Sequence, residues 1–226
     1  MTSRWRTIAD MQLRDLTRRR VALALLVGLP MTWYLAEAAA GVGYAVGTGV
    51  LAMAWSAAAA PLFAVVGGRN VDQRMLQAGY QSRDIIIGRL LALYACSFAI
   101  ALILGIIMVA GSHPARTDEV FVALGLTVLV STSVGWLIAA LVPRELEGTL
   151  ILIGIVGMQV SIPVSGTASL FIPYYGPLRL TDYESTPLGP SGPIIHAIVW
   201  SILIGLAALA LWTRRVRVWP SSIPVA

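Results

Sequence analysis

Few residues in this chain have the type and spacing to do chemistry. Glu145 and Glu147 are two apart, so on a helix they point to different sides and do not face one pocket as an acid–base pair. His113 sits in a polar loop with Pro114, Arg116 and Asp118, and no Cys, Asp or second His stands at ligand spacing from it. No Ser–His–Asp set can be assembled. Cys96 is the single cysteine, inside an apolar run, and reads as a small buried hydrophobe. Glu37 is the one acid inside an apolar run. Such an acid suggests function by default. On a helix starting at Val21, however, it lies ~25 Å along and so near the outer interface. All 16 basic residues are Arg. A Walker A loop uses a Lys to reach nucleotide phosphates, so the chain holds no P-loop of its own and no ATP-binding or enzymatic role is expected for it.

The remaining chemistry is that of docking. Residues 69–89, RNVDQRMLQAGYQSRDIIIGR, form the only long polar interruption between charge-free apolar runs. Asn70 is placed to N-cap a short helix, Gly79 to stop it, and Ser82 to cap the next. Met75, Leu76 and Tyr80 are apolar residues with no membrane length around them, flanked by Arg74 and Arg83. A short surface helix with a few apolar residues up suits a soluble partner. The plainer reading is a solvated linker.

The rest of the chain must hold that segment. It has 226 residues, 58% hydrophobic and 12% charged, which describes a multi-pass membrane protein. Residues 1–20 carry Trp5, Ile8, Ala9, Leu13 and Leu16 on one helical face, with Gln12 intruding, and end in Arg18-Arg19-Arg20, as an interfacial helix does. A cleavable signal peptide is not expected, because the first apolar run is long and lacks a small-residue cleavage site. Six spans follow, at 21–40, 42–66, 85–111, 120–142, 149–162 and 193–212. Pro30 and Pro61 fall inside spans. Gly43, Gly47 and Gly49 allow close helix approach. Arg89 lies one turn into the third span, where it is expected to snorkel. Pro143-Arg144-Glu145-Leu146-Glu147-Gly148 reads as a tight polar turn. Pro163, Gly166, Pro173, Gly176 and Pro177 break any continuation of the fifth span, so 163–180 is expected as a re-entrant or interfacial pair of short helices.

Orientation follows from Arg. With both termini inside, 14 Arg fall on the cytoplasmic side and two, Arg116 and Arg179, outside. The Ala-, Val-, Gly- and Arg-rich composition suits a bacterial chain, so the expected location is a bacterial inner (plasma) membrane. Membrane lipids are then partners, and nucleic acid is not.

With these elements in order, the chain resembles the membrane subunits of ABC-2-type (type V) exporters over nearly its whole length. The resemblance rests on the amphipathic segment before the first span, on Arg74-Met75-Leu76-Gln77-Ala78-Gly79-Tyr80, on Arg83-Asp84-Ile85-Ile86-Ile87-Gly88-Arg89, and on the Pro- and Gly-rich hairpin with Ser165-Gly166 and Pro173. That family usually has a basic residue after the glycine, as in Gly88-Arg89. Tyr174-Tyr175-Gly176-Pro177 departs from its pattern. The resemblance implies an all-α integral membrane protein with six transmembrane helices, an N-terminal elbow helix, a cytoplasmic coupling helix at 69–84 and an outer re-entrant hairpin after the fifth span. It implies two separate ABC ATPase chains that carry the ATP and Mg, and a second copy or homologous permease chain. Arg74, Met75, Leu76, Tyr80 and Arg83 become the ATPase-coupling residues, and Arg144, Glu145 and Glu147 a secondary coupling turn. Trp55, Met158 and Gln159 become pathway residues for a hydrophobic or amphipathic substrate such as a drug, lipid or modified peptide. The competing readings are an ion-coupled secondary carrier, which usually shows paired repeats and midplane ionisable groups, and a non-transporting anchor or immunity subunit.

Overall fold

The computed structural model describes residues 4–41, 43–161, 170–181 and 191–217. Among these residues all regular structure is helical. The order is α1 Arg4–Arg18, α2 Arg20–Ala39, α3 Ala45–Gly67, α4 Arg69–Gln77, α5 Ser82–Ser112, α6 Thr117–Leu141, α7 Glu145–Ser161, α8 Tyr175–Thr181 and α9 Ser191–Arg217. Five helices, α2, α3, α5, α6 and α9, are long and apolar enough to cross a membrane. The remaining expected span, the fifth in order, is α7, whose 17 residues reach only ~25 Å against a hydrocarbon core of ~30 Å.

The bundle is built around α3 and α6. In each, 72% of the most apolar stretch is buried, against 11% for α2 and 17% for α9. Neither central helix is amphipathic in sequence, because neighbours cover it on every side. Met53, Ala58 and Leu62 of α3 and Leu124, Val128 and Trp136 of α6 are all core residues. Gly135 is what lets the two helices meet. A Cβ there would fall 2.0 Å from the Ala58 carbonyl oxygen and 2.7 Å from Pro61. Pro61 sits within the helix, and the missing amide bond it leaves lies against a neighbouring helix, as membrane helices tolerate. Gly49 plays the same part between α3, α2 and α5, since a Cβ there would meet Met108 and Tyr34. Tyr34, fully buried on α2, donates to the Met108 carbonyl at 3.3 Å and shares a 2.7 Å hydrogen bond with Ser112, joining the far ends of α2 and α5.

Several boundaries differ from those expected. Gly68, not Asn70, precedes α4, and the Asp72 amide bonds the Gly68 carbonyl at 2.9 Å. α3 thus turns into α4 through two glycines with no side-chain cap. Gln81, in extended backbone, precedes α5, and Ser82 is its first residue. The 143–148 turn is shorter than expected: Glu145 to Gly148 already form the first turn of α7. On α1, Ile8 is buried, with Trp5, Ala9 and Leu16 half-buried, as expected. Gln12 belongs to that face, while Leu13 is 38% exposed and leaves it.

Beyond α7 the chain breaks, as the prolines require. Residues 172–174 are not helical, and α8 is a separate element. Its Pro177, Leu178 and Leu180 are buried, and Gly176 lies against the Pro193 carbonyl, 2.3 Å from where a Cβ would be. The first short helix expected in the 163–180 hairpin lies outside the described residues, as does the Ser165-Gly166 pair.

Candidate functional site

The expected docking segment is a rigid corner. α4 stops as a glycine-capped helix should: Gly79 takes φ +85, the Tyr80 amide bonds the Met75 carbonyl and the Gly79 amide bonds the Leu76 carbonyl, each at 3.0 Å. These are the two bonds of a Schellman motif. The motif brings the Tyr80 backbone back beside that of Met75, and the stop inferred from Gly79 holds. Met75, Leu76 and Tyr80 are half-buried, while Arg74 and Arg83 are exposed.

Three arginines fasten α4 to its neighbours. Arg89 does not snorkel. Its head turns inward, Nη1 donating to Asp72 Oδ2 at 2.8 Å and Nη2 to Oδ1 at 2.6 Å. Asp72 is 1% and Arg89 4% exposed. A planar fork matches a carboxylate in this two-bond way, so each buried charge meets its counter-charge, while the buried Arg89 Nε has no hydrogen-bond partner among the described residues. Gly68 makes room, since a Cβ there would lie 2.7 Å from Arg89 Nη2. Arg69 closes the C-terminus of α6, donating to the carbonyls of Ala139 at 2.9 Å, Pro143 at 2.6 Å and Val142. Those carbonyls lack helical partners, and a cation there also meets the negative end of the helix dipole. Arg4 of α1 donates to the Gly79 carbonyl at 2.8 Å and lies over the Tyr80 ring, 6.0 Å from its centroid. Gly88 seats α1 on α5, because a Cβ at that position would fall 2.5 Å from the Trp5 carbonyl oxygen and 2.8 Å from the Ile8 Cβ.

Asp72 and Arg69 were not anticipated as functional. The sequence signal was slight: Asp72 is the one acid of the short helix, and Arg69 follows two glycines where the apolar run ends. Val71 was also missed. It is 49% exposed and is the most open apolar residue of α4.

The secondary turn is less organised. Arg144 is exposed and lies 3.7 Å from Glu147. Glu145 turns the other way, toward Gly67. It stands at the mouth of a groove of 520 Å³ between α2, α3 and α7. The walls are apolar, with Leu25 and Leu29 from α2, Trp55, Ala59 and Phe63 from α3, and Leu152 and Ile153 from α7. Gln12, Asp15 and Arg19 complete the mouth. The three expected pathway residues do not come together. Trp55 lines the groove and tilts against Trp33 at 6.5 Å. Met158 and Gln159 lie farther along α7, outside the groove lining, because consecutive helix positions diverge: Met158 is 62% exposed, and Gln159 is buried.

No group of three or more His, Cys, Asp or Glu among the described residues is placed to hold a metal. No protein-family model matches the chain, and no curated protein matches it in sequence.

Proposed function

We propose that this chain is the membrane subunit of an ATP-driven exporter, working with separate ATPase chains and a second membrane subunit. The observation that carries the reading is the fastening of α4. A linker needs no buried ion pair. Here a nine-residue helix is tied to α5 through Asp72 and Arg89, and to the end of α6 through Arg69. A push on the exposed side of α4 is therefore delivered to two long helices at once. The α6–α7 joint beside Arg69 carries it on to the helix that borders the groove.

In this reading α7 is a span too, the fifth of six, both termini are cytoplasmic, and the membrane is a bacterial inner membrane. α1 is the elbow lying on its surface and α4 the coupling helix, with Arg74, Met75, Leu76, Tyr80 and Arg83 turned to the ATPase. α8 is the returning half of an outer re-entrant hairpin. Its Gly176 lies against α9 and its Pro177 is buried rather than projecting from the bundle, which supports that assignment. A hydrophobic or amphipathic substrate leaves by the groove between α2, α3 and α7, closed on its open side by the second membrane subunit. ATP and Mg belong to the ATPase.

Affinity capture of the tagged chain from its own membranes tests the proposal. The expected result is a stoichiometric ATPase partner whose hydrolysis rate changes when this chain is present. A chain that is captured alone, and transports or anchors without an ATPase, contradicts it.

A further inference from the structure

The groove bordered by Trp55 and Glu145 carries more than a pathway. We infer that it takes a hydrophobic cation: an apolar body against Trp55, Phe63 and Leu152, with its positive charge at Glu145. This rests on the reading of that groove as the export route.

Its volume, 520 Å³, lies within the range of about 300–1,000 Å³ typical of small-molecule sites. Its walls offer apolar and aromatic surface but almost no charge. The charges at the mouth decide what enters. Asp15 and Arg19 neutralise each other at 3.0 Å. Arg144, next to the mouth, faces Glu147. Of the charged lining residues Asp15, Arg19 and Glu145, Asp15 and Arg19 pair with each other, and Glu145 is in none of the ion pairs found among the described residues. Gly67 keeps the space around its carboxylate open, since a Cβ there would come within 3.1 Å of Oε1. An anionic amphiphile would meet this carboxylate, whereas a cation would pair with it.

Ser56 lies in the wall of the same groove and is 4% exposed, so this stretch of wall offers no accessible polar group to compete with Glu145 for the charge.

The test uses two ions of the same shape and opposite sign, tetraphenylphosphonium and tetraphenylborate, in equilibrium dialysis against the purified full chain in detergent. The phosphonium is expected to bind saturably and more tightly than the borate. Glu145→Gln should weaken phosphonium binding about fivefold, the effect of a partly exposed charge pair, without weakening borate. Glu145→Asp should retain most of the affinity. Ala59→Trp, which fills the groove, should remove saturable phosphonium binding while the protein stays monodisperse. Equal binding of the two ions, or parental phosphonium affinity in Glu145→Gln, would overturn the inference. Charge-selective binding by a chain that captures no ATPase keeps the site and sinks the exporter reading. Capture of an ATPase without charge-selective binding does the reverse.

Discussion

Asp72 and Arg89 face each other across the corner between α4 and α5, both carboxylate oxygens held by both terminal guanidinium nitrogens, and neither side chain reaches solvent. The pair makes a short polar helix part of the bundle. Removing one partner strands a buried charge, which typically costs about 3–5 kcal/mol. Arg89→Ala and Asp72→Ala should each lower the unfolding midpoint of the purified protein sharply. The double replacement Asp72→Leu with Arg89→Met should recover most of the loss, since apolar substitutes of similar size are often neutral. Detergent thermal-shift curves of all three variants check this. Equal loss in the double and single variants would mean that packing, not charge pairing, governs the corner.

Gly88 gives a second prediction. Gly88→Leu should unseat α1, because even a Cβ there would collide with the Trp5 carbonyl, and overpacking of this kind costs about 1–3 kcal/mol. Gly154→Ala on α7 is the control. Nothing lies within 4 Å of its added Cβ, and helix propensity favours Ala by about 1 kcal/mol. Protease access to Arg14 and Arg18 should rise in the first variant and not in the second.

Much of this arrangement was legible in the sequence, and what escaped has a physical reason. Apolar run length found α2, α3, α5, α6 and α9 within a few residues, because a bilayer leaves the chain little choice. Gly79 disclosed the stop of α4, because a left-handed residue closing a helix favours glycine. Asn70 and Ser82 misled as caps: α4 follows two glycines directly, and α5 starts from extended Gln81, so neither helix uses a side-chain cap. Arg89 misled because one residue in an apolar run says nothing of a partner seventeen positions earlier. Met158 and Gln159 were grouped with Trp55 by analogy, but side-chain direction along α7 places them elsewhere.

Topology is tested by labelling. In a chain lacking Cys96, cysteines at Ser112 and Ser185 should react with an impermeant reagent outside intact cells. One at Gln81 should react only after permeabilisation. The reverse pattern would invert the bundle and put α4 on the wrong side for an ATPase.

The central claim is that α4 receives an ATPase, and its most direct test is loss of that partner. Met75→Asp with Tyr80→Asp places two charges at the residues whose backbones the Gly79 turn brings together, and Val71→Asp places one on the most open apolar residue of α4. Truncating an interface anchor costs about 2 kcal/mol or more, some thirtyfold in affinity. A buried unpaired charge costs at least as much. Both variants should insert and remain monodisperse, since these positions are exposed or half-buried at the end of the bundle. The measurement is the amount of ATPase retained on the captured chain, followed by transport in reconstituted vesicles. The account predicts a chain stripped of its ATPase, or one whose hydrolysis no longer drives export. Parental retention and parental transport in both variants would contradict it.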